Sequence, residues 1–329
     1  MEILKHLNTC KVHSAISQEE NEKEWLRMRS KGIGGSDIGT ICGVNGFSSP
    51  RQLYLKKTGQ FEDPYEEGSA ASERMMFGRL LEPVVADEYS RRSGKHVAKS
   101  PAILAHCDHP WALANLDRFI VDDTGKPYGV LECKTAGEFA NSNWDDGELP
   151  ESYLYQLQWY LWITGLEYGA IAALVGGNKF YYYEVFRDDE LINTVLLPKA
   201  EYFWFENVLK LKQPELSHSE VDADLVANEF PVAKSKSEIV LAEETDDDLA
   251  ETVFQCKKQI KELKKLEDEA TNRLKEKIKD NEIAYTHNHV IKWSTVNQKR
   301  INLDKARETY PDIDVTCGEI SAYRRFTVK

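Results

Sequence analysis

Two acidic side chains and a lysine near the middle of the chain have the types and spacing of a metal-dependent hydrolytic site. Asp117 precedes a glycine-containing turn, and Glu132-Cys133-Lys134 follows it in the short apolar run 129–134. Because side chains alternate along a strand, Glu132 and Lys134 should share one face and Cys133 the other. Convergent carboxylates suit a hard cation such as Mg²⁺, and a neighbouring ammonium can polarise a water or stabilise charge developing on phosphorus. The pattern therefore predicts phosphodiester hydrolysis.

The Glu-x-Lys triplet is not specific by itself, because it recurs at Glu262-Leu263-Lys264 inside a charged helical run. Its surroundings are more informative. A strand-like run, 111–116, leads into the aspartate, a hairpin turn occupies 122–127, and a helix carrying Gln156 and Gln158 follows. The alternative is a surface hairpin with an incidental ion pair.

Glu82 is a third candidate carboxylate, in the apolar stretch that contains Phe77, Leu80, Leu81, Val84 and Val85. This stretch predicts a buried helix. An unpaired buried charge is costly, so a metal ion or a lysine should compensate Glu82. Pro83 would kink the helix or mark its first turn. In the second case, Glu82 would only complement the helix dipole.

The N-terminal region predicts a phosphate site. Ser17 and Glu20 have the spacing of a capping box, which predicts a helix from about Gln18 to Ser30 with Arg29 in its last turn. The following glycines permit a tight turn, and Ser36 is suited to N-cap the next helix. A helix N-terminus and a nearby arginine both favour an anion. The alternative is an ordinary helix junction with a capping serine.

Several blocks in order resemble the lambda-exonuclease or YqaJ-type viral recombinase nucleases, a branch of the PD-(D/E)xK restriction-endonuclease-like superfamily. The resemblance covers about residues 24–186. The blocks are Trp25-Leu26-Arg27-Met28-Arg29, Gly34-Gly35-Ser36-Asp37-Ile38, Gly78-Arg79-Leu80-Leu81-Glu82-Pro83, Asp117, Glu132-Cys133-Lys134 and Tyr153-Leu154-Tyr155-Gln156-Leu157-Gln158-Trp159-Tyr160. It implies an α/β fold: a restriction-endonuclease-like core with a central mixed β-sheet flanked by helices.

The resemblance also implies roles for individual residues. Metal would be held by Glu82, Asp117, Glu132 and the backbone carbonyl of Cys133. Lys134 and Gln156 would act in catalysis with Asp117 and Glu132. Arg29 and Ser36 would bind the terminal 5′-phosphate, with Asn115 and Tyr153 as further substrate contacts. Many relatives have Ser-Pro-Asp-Gly around the metal aspartate, whereas this chain has Asn115-Leu116-Asp117-Arg118. The resemblance therefore does not assign the contacts to the scissile phosphate.

The implied activity is a Mg²⁺-dependent 5′→3′ exonuclease that acts on double-stranded DNA ends and leaves a 3′ single strand. Mn²⁺ is an alternative metal, and two ions are expected in each site. The resemblance further implies a ring-shaped homo-oligomer, preferably a trimer, working with a single-strand annealing protein of the RecT type in a bacterial cytoplasm, phage or prophage encoded. An endonuclease of the same superfamily and a non-catalytic DNA-binding or scaffolding protein are the alternatives.

Charge and periodicity predict the domain organisation. The net charge is −13, but twelve acidic residues against two lysines lie between Glu215 and Glu251, so the rest is only mildly acidic. We expect a core in 1–214, an acidic linker in 215–248 and a helical arm with a small α+β cap in 249–329. The arm should be one amphipathic helix from Leu249 to about Lys279. It could serve oligomerisation, DNA guidance or partner docking.

The cap should contain a strand at 290–296, a helix at 303–309 and a further extended segment at 320–328. Its basic residues are Lys299, Arg300, Arg324 and Arg325. The six cysteines include no CxxC pair, which argues against a zinc site, a disulfide framework or a cysteine-ligated iron–sulfur cluster. Neither a signal peptide nor a membrane span is predicted.

Overall fold

The computed structural model describes residues 2–17, 20–61, 70–138, 144, 149–241, 243–297, 302–312, 317 and 327–328. It divides into two compact units, Met1–Val226 and Ala227–Lys329. The first unit continues beyond the boundary expected at residue 214. The acidic segment begins with a helix rather than a linker, and the buried carboxylate of Asp222 in that helix accepts a hydrogen bond from the Ser49 hydroxyl. Acidity alone does not distinguish a linker from a helix with one buried anchor.

The described part of the first unit contains eight strands. In chain order they are β1 (Cys10–Ser14), β2 (His96–Lys99), β3 (Ile103–His106), β4 (Leu113–Ala114), β5 (Arg118–Val121), β6 (Pro127–Ala136), β7 (Tyr168–Val175) and β8 (Lys179–Phe186). Five strands form a central sheet in the order β2-β5-β6-β7-β8, in which β6 and β7 are parallel and the other neighbouring pairs are antiparallel. A smaller sheet has the order β1-β3-β4. The predicted central mixed sheet is confirmed.

Helices of the first unit cover the sheet and build the N-terminal region. They are α1 (Glu22–Arg29), α2 (Gly35–Ile41), α3 (Pro50–Lys57), α4 (Ala70–Ser93), α5 (Glu151–Thr164), α6 (Asp189–Leu191), α7 (Leu197–Glu201) and α8 (Glu220–Glu229). A short 3₁₀ helix spans Glu2–His6, and π-helical turns at Ile192–Leu196 and Tyr202–Val208 adjoin α7. Helices α4 and α5 both pack on β6 and β7. They bury different sets of sheet residues, so they lie on opposite faces.

Alternation along β6 explains how one strand serves both faces. Val130 belongs to the larger core, which contains residues of α5, whereas Leu131 belongs to the cluster that contains residues of α4. Glu132 continues the first series and Cys133 the second. The hairpin before β6 also forms as predicted: the Asp122 carboxylate accepts from the backbone N–H groups of Thr124 and Lys126, and Gly125 has a positive φ of 82°.

Some boundaries differ from the prediction. The strand expected at 111–116 is reduced to β4, and the neighbouring residue Ala112 forms an isolated bridge to Ile33. Asp117 therefore lies directly before β5 rather than at the end of a long strand. The helix expected at about 18–30 begins at Glu22, capped by Asn21. Ser17 and Glu20 do form the reciprocal hydrogen bonds of a capping box, but in a separate turn.

The second unit contains a long helix, α9 (Glu244–Ile278), a hairpin of β9 (Ile283–Tyr285) and β10 (Val290–Lys292), and a short helix, α10 (Leu303–Thr309). The long helix starts earlier than predicted, and the short helix is confirmed. The strand expected at 290–296 is shorter, and its partner β9 was not predicted. Lys299, Arg300, Arg324, Arg325 and most of the segment 320–328 lie outside the described residues.

Candidate active site

Strand β6 and helix α5 bring three predicted catalytic residues together. The Lys134 Nζ donates to Glu132 Oε1 at 2.8 Å and to Gln156 Oε1 at 2.9 Å. The Gln156 amide donates to the same Glu132 oxygen at 2.6 Å. Because Glu132 and Lys134 are two residues apart on one strand, they face α5 together, as predicted. The three groups form a closed triangle, so each side chain is held by two others.

Two tyrosines of α5 complete this cluster. The Lys134 ammonium lies over the Tyr153 ring, 4.7 Å from its centroid, which is a cation–π distance. Tyr160 stands one turn after Gln156, and its hydroxyl accepts a hydrogen bond of 3.1 Å from the Gln156 amide. Tyr153 was predicted to contact substrate; in the structure it contacts the lysine. Tyr160 received no role from the sequence.

Asp117 contacts the backbone of β6 next to the cluster. Its Oδ2 accepts from the Cys133 backbone N–H at 2.8 Å. In a strand, the N–H and C=O of one residue point to the same side, so the Cys133 carbonyl also points toward the β5 side of β6, where Asp117 lies. The backbone oxygen that was predicted as a metal ligand therefore points toward the aspartate.

Burial and mutual repulsion disfavour the charged forms of the Asp117 and Glu132 carboxylates. Burial, then repulsion from Glu132 and Glu82, raises the pKa of Asp117 well above its ordinary range. Burial also raises the pKa of Glu132, although Lys134 opposes the shift. Glu132 is 3% exposed, and its buried Oε2 has no hydrogen-bond partner among the residues that the structure describes. An unsatisfied buried carboxylate oxygen beside a second carboxylate and a carbonyl is a donor set that fits a hard divalent cation.

Lys134 keeps its charge in this environment. Burial disfavours the ammonium, but the attraction of Glu132 and Asp117 outweighs burial and raises the pKa of Lys134. The side chain therefore carries a fixed positive charge rather than a basic lone pair. This charge can stabilise an anion but cannot accept a proton from water.

Glu82 is placed differently from the prediction. Its helix is not buried as a whole: Phe77, Leu80 and Val84 are more than half exposed, and only Val85 of the five apolar residues around Glu82 is fully covered. Pro83 lies inside α4 and is not its first turn. The Glu82 carboxylate, with its side chain 27% exposed, pairs with the Arg118 guanidinium. Among the described residues, no group of three or more His, Cys, Asp or Glu side chains is gathered for metal binding.

Arg29 and Ser36 lie together, as predicted, with Arg29 Nη2 donating to Ser36 Oγ at 3.1 Å. Arg29 also stacks on Trp25, 4.5 Å from the ring centroid. Ser36 is not the N-cap of α2, however. Gly34 occupies that position, and its N–H donates to the Asp37 carboxylate at 2.8 Å. Ser36 therefore offers its hydroxyl beside Arg29 from within α2 and not as a cap.

Asn115 connects the two halves of the site. It lines a cleft of about 390 Å³ together with Glu82 and Asp117. It also lines a small adjacent cavity together with Arg29 and Tyr160. The predicted substrate contacts and the predicted metal ligands therefore open onto neighbouring spaces, with Asn115 common to both.

Sequence reasoning missed the roles of two residues. Arg118 stood out only as a departure from the family pattern, and the partner expected for Glu82 was a metal ion or a lysine, whereas the structure pairs it with this arginine. Tyr160 lies four residues after Gln156, and helix periodicity could have placed both on one face. Gln158 is buried, but its amide is occupied by Phe186 and Asp188 in the connection after β8. Its role is structural.

The fold and the site together define an α/β protein with a central mixed β-sheet flanked by helices and an acidic, lysine-containing centre on its middle strands. The chain belongs to the YqaJ-like viral recombinase domain family, whose model matches residues 24–167. It is 37% identical over 317 residues to "Uncharacterized protein YqaJ" of Bacillus subtilis (strain 168), covering 96% of each chain.

Two solved structures are similar to the chain at lower identity. One is an alkaline exonuclease from Laribacter hongkongensis, with 18% identity, a TM-score of 0.44 and coverage of 58% of this chain and 96% of that chain. The other is a phage-related exonuclease from Haemophilus somnus 129PT, with 13% identity, a TM-score of 0.41 and coverage of 57% and 99%. In the part of the chain that the structure describes, no helix is long and apolar enough to cross a membrane.

Proposed function

We propose that this protein is a metal-dependent nuclease that hydrolyses phosphodiester bonds of DNA. The observation that carries the proposal is the buried arrangement of Asp117, Glu132, Lys134 and Gln156. In the described part of the chain, one Glu132 oxygen of this arrangement has no hydrogen-bond partner. A structural ion pair would be expected to satisfy both oxygens of a buried carboxylate. In a cation site, an oxygen without a hydrogen bond is available as a metal ligand.

The residues divide the work of hydrolysis among themselves. Asp117, Glu132 and the Cys133 carbonyl would hold a Mg²⁺ or Mn²⁺ ion. When bound, such an ion polarises a phosphoryl oxygen and makes a water molecule more acidic. Lys134, which stays protonated, stabilises the negative charge that develops on the phosphoryl oxygens. Gln156 holds Glu132 and Lys134 in register, so the site needs little rearrangement before reaction.

The proposed substrate is the end of a DNA duplex. Arg29 and Ser36 would bind the terminal 5′-phosphate through charge-assisted hydrogen bonds. Asn115 lines both the cavity that contains Arg29 and the cleft that contains Asp117. A phosphate held at this position would align the first phosphodiester with the proposed metal ligands. Cleavage would then proceed 5′→3′ and leave a 3′ single strand, as the family resemblance implies.

The remaining parts of the proposal depend on the resemblance. We expect a ring-shaped homo-oligomer, preferably a trimer, because a ring keeps the duplex attached between cleavage steps. A single-strand annealing protein of the RecT type would receive the 3′ strand. The bacterial cytoplasm is the expected site of action.

The test compares linear 5′-phosphorylated duplex with covalently closed circular duplex, each incubated with Mg²⁺ and with EDTA. The proposal predicts degradation of the linear DNA in Mg²⁺ alone and persistence of the circle. Cutting of the circle would identify an endonuclease of the same superfamily. No cleavage of either DNA, with Mg²⁺ or Mn²⁺, would support a non-catalytic DNA-binding or scaffolding protein instead.

A further inference from the structure

Arg118 is the residue at which the sequence departs most clearly from the family pattern, and it is almost completely buried. It is 9% exposed and is the first residue of β5. Its Nη1 donates to Glu82 Oε1 and also to the backbone carbonyl of Asp117, the latter at 2.7 Å. The guanidinium is therefore fixed at two points, and one of these points is the backbone of a proposed metal ligand.

Strand alternation explains why Arg118 reaches Glu82. Ile120, two residues later on β5, packs in the cluster that contains Val85, Ala86 and Tyr89 of α4. Arg118 shares that face and so meets Glu82 of α4. The contact therefore follows from the register of β5 and does not require an unusual side-chain conformation.

The charge balance of the site follows from this contact. An arginine side chain remains positively charged at any physiological pH. Glu82 is thus already neutralised by a protein cation. Within the ranges that the structure describes, Asp117 and Glu132 share the single cation Lys134, and one Glu132 oxygen has no hydrogen-bond partner. Among the described residues, Glu82 does not join the other two carboxylates in a three-ligand group. A second divalent ion at Glu82 would have to displace or repel the guanidinium.

We propose that Arg118 takes the place of a second cation, so that each site binds one divalent ion through Asp117, Glu132 and the Cys133 carbonyl. This inference rests on the proposed function and replaces the expectation of two ions with Glu82 as a ligand. Arg118 is a positioning residue: it holds Glu82 on the α4 side and leaves the other carboxylates to a single ion.

The test is calorimetric titration of the full-length protein with Mn²⁺ in the absence of DNA. The parent should bind one ion per chain. Arg118→Ala should bind two, because Glu82 then becomes an uncompensated carboxylate beside Asp117. Arg118→Lys should still bind one, since the positive charge is retained. Arg91→Ala is the matched control, because Arg91 pairs with Glu88 on the exposed surface of α4, and it should also bind one.

Glu82→Gln gives an independent measurement should Arg118→Ala fail to fold. The amide keeps a hydrogen-bond acceptor for Arg118, and the variant should bind one Mn²⁺ with an affinity within about threefold of the parent, since Glu82 is not a ligand. Two ions on the parent, an unchanged single ion on a folded Arg118→Ala, or loss of the ion in Glu82→Gln would each overturn the inference. All three outcomes would leave the proposed nuclease intact, because the parent still binds metal in each. A parent that binds no Mn²⁺ would overturn both proposals.

Discussion

The Lys134 ammonium lies 2.9 Å from the side-chain Oε1 of Gln156. The two residues come from different elements, the middle strand of the sheet and the helix that covers it. The same ammonium bonds Glu132, and the Gln156 amide returns to that carboxylate. Helix α5 therefore fixes the position of the Lys134 ammonium relative to the proposed metal ligand Glu132. A displacement of α5 should therefore change the distances between Gln156, Lys134 and Glu132.

The first prediction concerns stability of the metal-free protein and its dependence on pH. The pKa of Asp117, ordinarily 3.8, is raised by burial and by the neighbouring carboxylates, so the folded state binds this proton more tightly than the unfolded state. Stability should therefore be greatest below the ordinary value and decrease as pH rises toward the folded-state value. Asp117→Asn should stabilise the protein in EDTA at about pH 8 by roughly 1–3 kcal/mol, the cost of one uncompensated buried polar group.

Urea denaturation at about pH 5 and about pH 8 measures this difference. Asp123→Asn serves as the control, because the side chain of Asp123 is 97% exposed, and it should leave stability unchanged at both values. A destabilised Asp117→Asn variant at the higher pH would show that Asp117 is already compensated within the metal-free fold.

The second prediction concerns the terminal phosphate. The parent should degrade 5′-phosphorylated duplex faster than 5′-hydroxyl duplex by roughly tenfold to a hundredfold, since a charge-assisted hydrogen bond contributes about 1.5–3 kcal/mol. Arg29→Ala should remove most of this preference. Arg27→Ala, on the same helix but paired with Glu24 at the surface, should retain it. Equal rates on both ends by the parent would return Arg29 and Ser36 to a structural role.

The third prediction concerns the close approach of α2 to α5. A Cβ added at Gly35 would lie 2.4 Å from a ring carbon of Tyr160, the tyrosine that bonds Gln156. Gly35→Ala should therefore destabilise the fold by about 1–3 kcal/mol through overpacking and should lower cleavage by displacing Tyr160. Gly46→Ala is the control, because nothing lies within 4 Å of its added Cβ. Equal urea midpoints for both variants would mean that the Tyr160 ring moves aside without lowering the free energy of unfolding.

The fourth prediction concerns the second unit. Every proposed site residue lies within Met1–Val226, and α8 ends at Glu229. A chain ending at Ser237 should fold and retain metal-dependent cleavage, while losing assembly, processivity or partner binding. Light scattering and cleavage of linear duplex should be measured on the truncated and full-length proteins. A soluble truncated protein that binds metal but does not cleave would show that α9 belongs to the active assembly.

The elements that could be predicted from sequence are those with strong local patterns. Helix α5, the hairpin at 122–127 and the shared face of Glu132 and Lys134 follow from periodicity and turn chemistry, and all three are present. The ordered family motifs predicted which side chains would come together around β6. These relationships are set by residues close in sequence, or by the sheet topology that the resemblance implied.

Other features depend on contacts that no local pattern records. The apolar run around Glu82 predicted burial, but α4 buries only one side and leaves Leu80 exposed. The Arg118 partner of Glu82 comes from a strand 36 residues later. Helix α1 starts at Glu22 because Asn21 offers a second cap after the turn at Ser17. The burial of α4 and the partner of Glu82 were therefore set by tertiary contacts, whereas the start of α1 was set by a competition between two neighbouring caps.

The central claim is that Lys134 stabilises the transition state of a phosphodiester hydrolysis, and a matched pair of lysine variants tests it. Lys134→Ala and Lys264→Ala both alter a Glu-x-Lys triplet, but Lys264 is exposed on α9 and pairs with surface carboxylates. Cleavage and binding of linear duplex in Mg²⁺ should be measured for both. We expect Lys134→Ala to bind duplex ends as the parent does while losing about 10²-fold or more in cleavage rate, and Lys264→Ala to match the parent. Cleavage by Lys134→Ala within about tenfold of the parent would contradict the claim.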